Sequence, residues 1–314
     1  MCGVGLDAYW PQFAGLRERL HGYLADVSRL VAQTGAVVEI LGLVDTPEKG
    51  REAGHACRRA DIDLLIIDVT TYALSSTVLP IVQRAQVPVL VLILQPEAAI
   101  DYKAFNQLPD RTAKTGEWLA FCSTCSVPEI ANVLRRAQIP FHQLTGVIGD
   151  KDTCNEISEW VHAARARKAL QIGRLGLMGH YYGGMLDIAT DLTQVCITFG
   201  CHIEHIEVDA LSALRTAVNS SEIADRIADL KDQLEIQPGC TEVELARAAR
   251  TSVALDRLAE LHDLYSLAYY YMGRGVPENE ETMSSIILGT SLLTAPNRCS
   301  RRIRTLESVS RPAS

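Results

Sequence analysis

The chain has 314 residues, 47% of them hydrophobic, a net charge of −8 at pH 7 and nine cysteines. That length and apolar content allow two cored domains. The acidic balance excludes the basic face that nucleic acids or anionic membranes require. No apolar run reaches the ~18–20 residues of a spanning helix. The N-terminus lacks a charged region followed by an apolar one, so a cytoplasmic chain without a secretion signal is expected. Scattered cysteines in such a chain read as reduced thiols rather than a disulfide framework.

Three strand-like runs come first: "GAVVEILGLV" (35–44), "DLLIIDVT" (63–70) and "VPVLVLILQ" (87–95). The last two are near-continuous β-branched and leucine runs, the pattern of strands buried on both faces of a parallel sheet. "GREAGHACRRAD" and "STVLPIVQRAQ" read as the helices between them, which gives βαβ units. A helix over 153–170 opens with "TCNE", where Thr153 and Glu156 predict a capping box. The pattern then restarts. "GRLGLMG" (173–179) reads as a strand running into a glycine turn. "MLDIATDLTQVCITFG" reads as a helix ending at Gly200, and "HIEHIEVD" as a strand. Ser221 is expected to cap the next helix, and Thr241 a helix running to about His262. "SLAYYYM" and "ENEETMSSIILGTSLLTA" read as a final strand and helix. The fold class is therefore α/β, with two Rossmann-like or flavodoxin-like domains of parallel sheets flanked by helices. The expected boundaries are 1–171 and 172–295.

Four features invite chemistry. Gly173, Gly176 and Gly179 lack the dinucleotide-loop spacing and read as ordinary strand–turn–helix glycines. On a strand, His202 and Glu204 share one face while His205 points to the other, which does not gather three metal ligands. Cys122 and Cys125 form a single CxxC without a second pair and read as packing cysteines. Tyr9 and Trp10, just after the first strand segment, stand where open α/β sheets bind ligands. The tyrosines 269–271 form a second aromatic group. Stacking faces and hydroxyls suit a sugar or another polyol.

The segments "GLDAYWPQFAGLRERLHGY", "TGEWLAFCSTCSVPEIANVL", "GMLDIATDLTQVCITFGCHIE" and "LAYYYMG…ENEETMSSIILGTSLLTA" together resemble, in order, blocks of the L-arabinose isomerase family. That family lies within the arabinose/fucose isomerase group. The resemblance spans about residues 3–295 and is nearest to the shorter arabinose-isomerase-like branch. It implies two Rossmann-like domains followed by a third, and an enzyme that interconverts an aldose and its ketose, such as L-arabinose and L-ribulose. A divalent metal, usually Mn²⁺, polarises sugar oxygens while a carboxylate moves a proton between neighbouring carbons. It also implies a homo-oligomer, trimer or hexamer, with pockets between subunits and a small sugar as partner. Carried over by position, Tyr9 and Trp10 belong to a substrate-facing loop. Tyr72 and Leu74 fall in the loop after "IIDVT", Met185 at the start of the second-domain helix, and Tyr271 near the pocket floor.

The sequence departs from the family at both ends. Most of a first strand is expected to be absent before "MCGVGLD". After "SLLTA" the family continues into an "AGEYE"-like motif that supplies a metal-binding, catalytic Glu, with a further Glu and two His in the third domain. Here residues 296–314 hold five Arg against one Glu, net +4, leaving −12 for the rest. This tail reads as aberrant and disordered. The codons AAC CGG TGT AGC CGG CGA ATA CGA ACN write Asn297 through Thr305. Read one base later they write Thr-Gly-Val-Ala-Gly-Glu-Tyr-Glu, which restores the motif. A frameshift near Ala295 is therefore expected, and DNA codons incompatible with it would overturn that. On this reading the chain supplies no catalytic and no metal-binding residue of its own, holds no Mn²⁺ and is inactive alone. The alternative is a non-catalytic sugar-binding or regulatory module built on the two domains.

Overall fold

The structure, a computed structural model, describes residues 1–273 and 275–294; the tail 296–314 lies outside the described residues. The chain divides into two compact units, Met1–Lys168 and Ala169–Ser314. The division falls within one long helix, three residues before the boundary expected from sequence.

Unit 1 contains β1 (Cys2–Val4), α1 (Leu16–Gln33), β2 (Leu43–Val44), α2 (Pro47–Arg59), β3 (Leu65–Val69), α3 (Ser75–Ala85) and β4 (Val89–Gln95). It continues through α4 (Tyr102–Asn106), α5 (Arg111–Leu119), α6 (Val127–Arg136), β5 (His142–Val147) and α7 (Lys151–Ile172), whose last residues enter unit 2. Its five strands are all parallel, in the order β2-β1-β3-β4-β5. This is the flavodoxin-like order, and it reverses direction between β1 and β3.

Alternation along the strands explains the layering. Leu65, Ile67, Val69, Val89, Val91 and Ile93 face one core with residues of α2, α3 and α6. Ile66, Leu90, Leu92 and Leu94 face the other, with residues of α1 and α7. A strand covered on both sides has no polar face, which is why these runs read as continuously apolar.

Unit 2 contains β6 (Arg174–Gly179), α8 (Leu192–Phe199), β7 (His202–Ile206), α9 (Val208–Thr216), α10 (Ser220–Gln233) and α11 (Glu242–Leu261). β8 (Leu264–Tyr270), α12 (Pro277–Ser284) and α13 (Ile287–Thr294) complete it. Its parallel sheet has the order β7-β6-β8. Met178, Ile206 and Leu264 pack with Leu211 of α9 and with Leu255 and Leu258 of α11. Gly179, at φ +78°, ends β6 where an added Cβ would lie 2.0 Å from the Tyr270 carbonyl oxygen, so only glycine fits.

Several local expectations are corrected. The run 35–44 pairs only at Leu43–Val44, because Val37 and Ile40 are exposed and no core faces them. Thr153 does not cap its helix. Asp150 does, accepting from the amides of Asp152 (3.1 Å) and Thr153 (3.3 Å), while Glu156 turns to His142 Nε2 (3.0 Å). Asn219, not Ser221, caps α10 in a capping box with Glu222. The last expected helix breaks into α12 and α13, and the helix expected from Met185 forms only from Leu192. Among the described residues no helix is long and apolar enough to cross a membrane.

Candidate functional site

The β1–β3 switch point of unit 1 gathers the most distinctive side chains. After β1 the chain makes a 3-10 turn, Asp7–Tyr9, that delivers Tyr9 and Trp10 to the sheet edge. A Cβ at Gly5 would come 3.0 Å from Trp10 Cη2, so the glycine makes room for the indole. Trp10 Nε1 donates to Asp45 Oδ2 at 2.8 Å, and Lys49 Nζ donates to Asp45 Oδ1 at 2.6 Å. Burial alone would raise the Asp45 pKa. The hydrogen bonds from Lys49 and Trp10 outweigh it and hold the carboxyl below its ordinary value.

The loop after β3 supplies the opposite wall. Thr70 Oγ1 donates to the Val4 carbonyl at 3.0 Å and Thr71 Oγ1 to the Leu119 carbonyl at 2.7 Å. These bonds fix Tyr72 against the start of the chain. Tyr9, Trp10, Phe13, Tyr23, Tyr72 and Phe121 pack around a small core of Leu16, Leu20, Leu119, Ala120 and Cys122. Tyr9 and Phe13 meet edge to face at 5.8 Å. Burial, with Cys122 and Tyr72 adjacent, raises the Tyr9 phenol above its ordinary pKa.

Beside this cluster lies an open cleft of about 510 Å³, lined by Phe13, Arg19, Asp110, Thr112, Gly116 and Glu117 among others. Arg19 and Glu117 form a bidentate pair, 2.6 and 3.2 Å, and the Arg19 guanidinium lies 5.7 Å from the Phe121 ring centroid. The cleft thus has one aromatic face, that of Phe13, and a rim of polar and charged groups. Its lining includes Phe13 rather than Tyr9, Trp10 or Tyr72, which stand in the same aromatic cluster behind it.

The remaining sequence-selected residues are elsewhere. Leu74 is exposed at the start of α3, outside the aromatic cluster. In unit 2, Met185 is exposed in the loop after β6, and Tyr271 follows β8 with its hydroxyl buried and no hydrogen-bond partner among the described residues. His180 and Tyr182 each pack edge to face on Tyr270 at 5.5 Å. These residues flank unit 2's own switch point, between β6 and β8.

On β7, His202 and Glu204 share one face, as expected. His202 Nε2 and Glu204 Oε2 are 3.3 Å apart, and His262 Nδ1, unforeseen, meets Glu204 Oε1 at 3.3 Å. The hydrogen bond from His262, followed by that from His202 and the nearby Arg174, holds the Glu204 carboxyl below its ordinary value.

Sequence reasoning also missed Phe13, Arg19, Asp45 and Asp68. Tyr9/Phe13 and Arg19/Tyr23 are spaced four apart, which is a helical contact signal. Asp68 is the lone charge inside "LIIDV". It is buried in β3 beside Gly3 and Leu92, and burial pushes its carboxyl up to about 7.

Fold and site together define a parallel α/β protein of two units, with an aromatic cluster at the switch point of the first and an open polar cleft beside it. No protein-family model and no curated protein matches the chain.

Proposed function

We propose that this chain carries the sugar-handling α/β units of a cytoplasmic aldose–ketose isomerase of the L-arabinose isomerase kind. It takes a pentose or related polyol at the crevice of unit 1. The assembled enzyme, a homo-oligomer, isomerises the sugar with a divalent metal such as Mn²⁺. One observation supports this above others. Tyr9 and Trp10 meet Tyr72, distant from them in sequence, in one cluster at the switch point, and Phe13 of that cluster lines a cleft rimmed by Arg19, Asp110, Thr112 and Glu117. Aromatic faces accept the C–H faces of a sugar ring, and charged and hydroxyl groups hold its hydroxyls. The exposed Tyr181, Tyr182, Met185, Leu186, Ile197 and Phe199 of unit 2 agree with a face that packs on a further domain or copy.

The described residues do not fit the metal. Among them no group of three His, Cys, Asp or Glu side chains could hold an ion. The nearest approach, Glu204 with His202 and His262, has the Arg174 guanidinium 3.5 Å away, and that cation would repel another. No step is therefore derived through the metal, whose ligands the resemblance assigns to the motif after "SLLTA" and to a third domain.

The test is an isomerase assay with Mn²⁺ across aldopentoses and aldohexoses. It compares this chain with one continued in the restored reading frame after Ala295. Turnover by the continued chain is expected. Turnover of no sugar by either chain would overturn the isomerase reading. If the continued chain binds sugar without metal and without turnover, a sugar-binding module is the better reading.

A further inference from the structure

The pair Cys122 and Cys125 lies on the wall of the same aromatic cluster, and the sugar reading makes no use of it. The two sulfurs are 2.8 Å apart. A disulfide bond is about 2 Å long, so a small side-chain rotation closes the gap. The loop between α5 and α6 that bears them is anchored from both sides. Ser123 Oγ accepts from Gln95 Nε2 at 2.7 Å, and Thr71 Oγ1 holds the Leu119 carbonyl. The two cysteines therefore meet because the backbone sets them together. They also differ in surroundings. Cys122 is buried against Leu119, Leu16 and Leu20, and Cys125 is exposed. Next to Cys125, Ser126 is 1% exposed, and its hydroxyl has no hydrogen-bond partner among the described residues.

We propose that Cys122 and Cys125 form a redox-active dithiol, in which exposed Cys125 is the entry thiol and buried Cys122 the resolving one, with a low-molecular-weight disulfide as the oxidant. Cys125, as thiolate, attacks one sulfur of the small disulfide RSSR. A Cys125–SR bond forms, and RS⁻ leaves and takes up a proton. Cys122 then attacks Cys125 Sγ, the Cys125–SR bond breaks, and the second RS⁻ leaves with the Cys122 proton. Two thiols and one RSSR become one protein disulfide and two RSH. The order follows from access, since only Cys125 meets solvent. Burial, helped by the neighbouring Cys125, pushes the Cys122 thiol up to about 12, which makes it the poorer entry nucleophile of the two. Closure staples the end of α5 to the start of α6 next to Tyr9 and Tyr72. The proposal does not depend on the sugar reading.

The experiment equilibrates the full chain in glutathione buffers of graded GSH/GSSG ratio, alkylates the remaining thiols and maps the peptides by mass. The peptide holding Cys122 and Cys125 is expected to lose two hydrogens in GSSG-rich buffer, while Cys57, which is buried, remains alkylatable after unfolding. The disulfide should reverse in GSH. Cys122→Ser should leave a lasting glutathione adduct on Cys125, and Cys125→Ser should leave Cys122 without one. Both thiols alkylated at every ratio in the unmutated chain would overturn the proposal. Equal adducts on the two variants would overturn the assigned order.

Discussion

Replacing Asp68 by asparagine tests whether the buried carboxylate in β3 is a burden on the fold. No described side chain pairs with it, and burial is what raises its pKa from 3.8 to about 7. That rise corresponds to about 4 kcal/mol, as an upper figure. The sign follows from proton counting. Between about pH 4 and 7 the folded chain holds a proton on Asp68 that the unfolded chain has lost, so stability falls as pH rises through this window. Below it both states are protonated and the penalty vanishes; above it the penalty is complete. Asp68→Asn keeps the shape and removes the charge. Urea unfolding of both proteins should give midpoints close together at about pH 3.5. At pH 8 the variant should be more stable by up to about 4 kcal/mol. A gap that does not change with pH, or a wild type that is the more stable at pH 8, would refute the reasoning and show that the Asp68 charge is compensated.

Three further outcomes follow from the geometry. Trp10→Phe removes the 2.8 Å donor to buried Asp45 and should cost about 1.5–3 kcal/mol by denaturant melt at pH 7. The lowered Asp45 pKa stabilises the fold above the unfolded value and that contribution is lost as pH falls through the folded one, so the variant should show a shallower loss on the acid side. Gly179→Ala places a methyl 2.0 Å from the Tyr270 carbonyl at φ +78°. The left-handed backbone alone costs about 1–2 kcal/mol, and hydrogen exchange should accelerate in β6 and β8. Leu92→Ala empties a fully buried position between β3 and β5 and should cost about 2–5 kcal/mol, read by the same urea melt.

The parallel sheet of unit 1 was legible because burial on two faces leaves a plain mark: "LLIIDV" and "VPVLVLIL" admit no solvent side. The edge strand β2 was overdrawn for the opposite reason. Its apolar residues Val37 and Ile40 have no core to face, and a one-sequence pattern does not reveal what a residue faces. Caps failed where two polar residues competed for one helix end, as Asp150 displaced Thr153 and Asn219 displaced Ser221. At the site, position after β1 pointed to Tyr9 and Trp10, while Tyr72 came only from the family resemblance. Asp45 and Arg19 were hidden because their partners, Trp10 and Glu117, lie 35 and 98 residues away. The cysteine pair read as packing because a lone CxxC carries no distance, and the structure supplies one.

The most direct test of the central claim is a calorimetric titration of aldopentoses and ketopentoses into the protein and into its Phe13→Ala variant, each with and without Mn²⁺. Phe13 lines the cleft and packs on Tyr9 without holding a strand or a cap. The account predicts saturable binding of at least one sugar to the unmutated chain, unchanged by metal, and at least tenfold weaker binding to a variant that still melts cooperatively. Absence of binding for every sugar, or equal affinity in the two proteins, would contradict it.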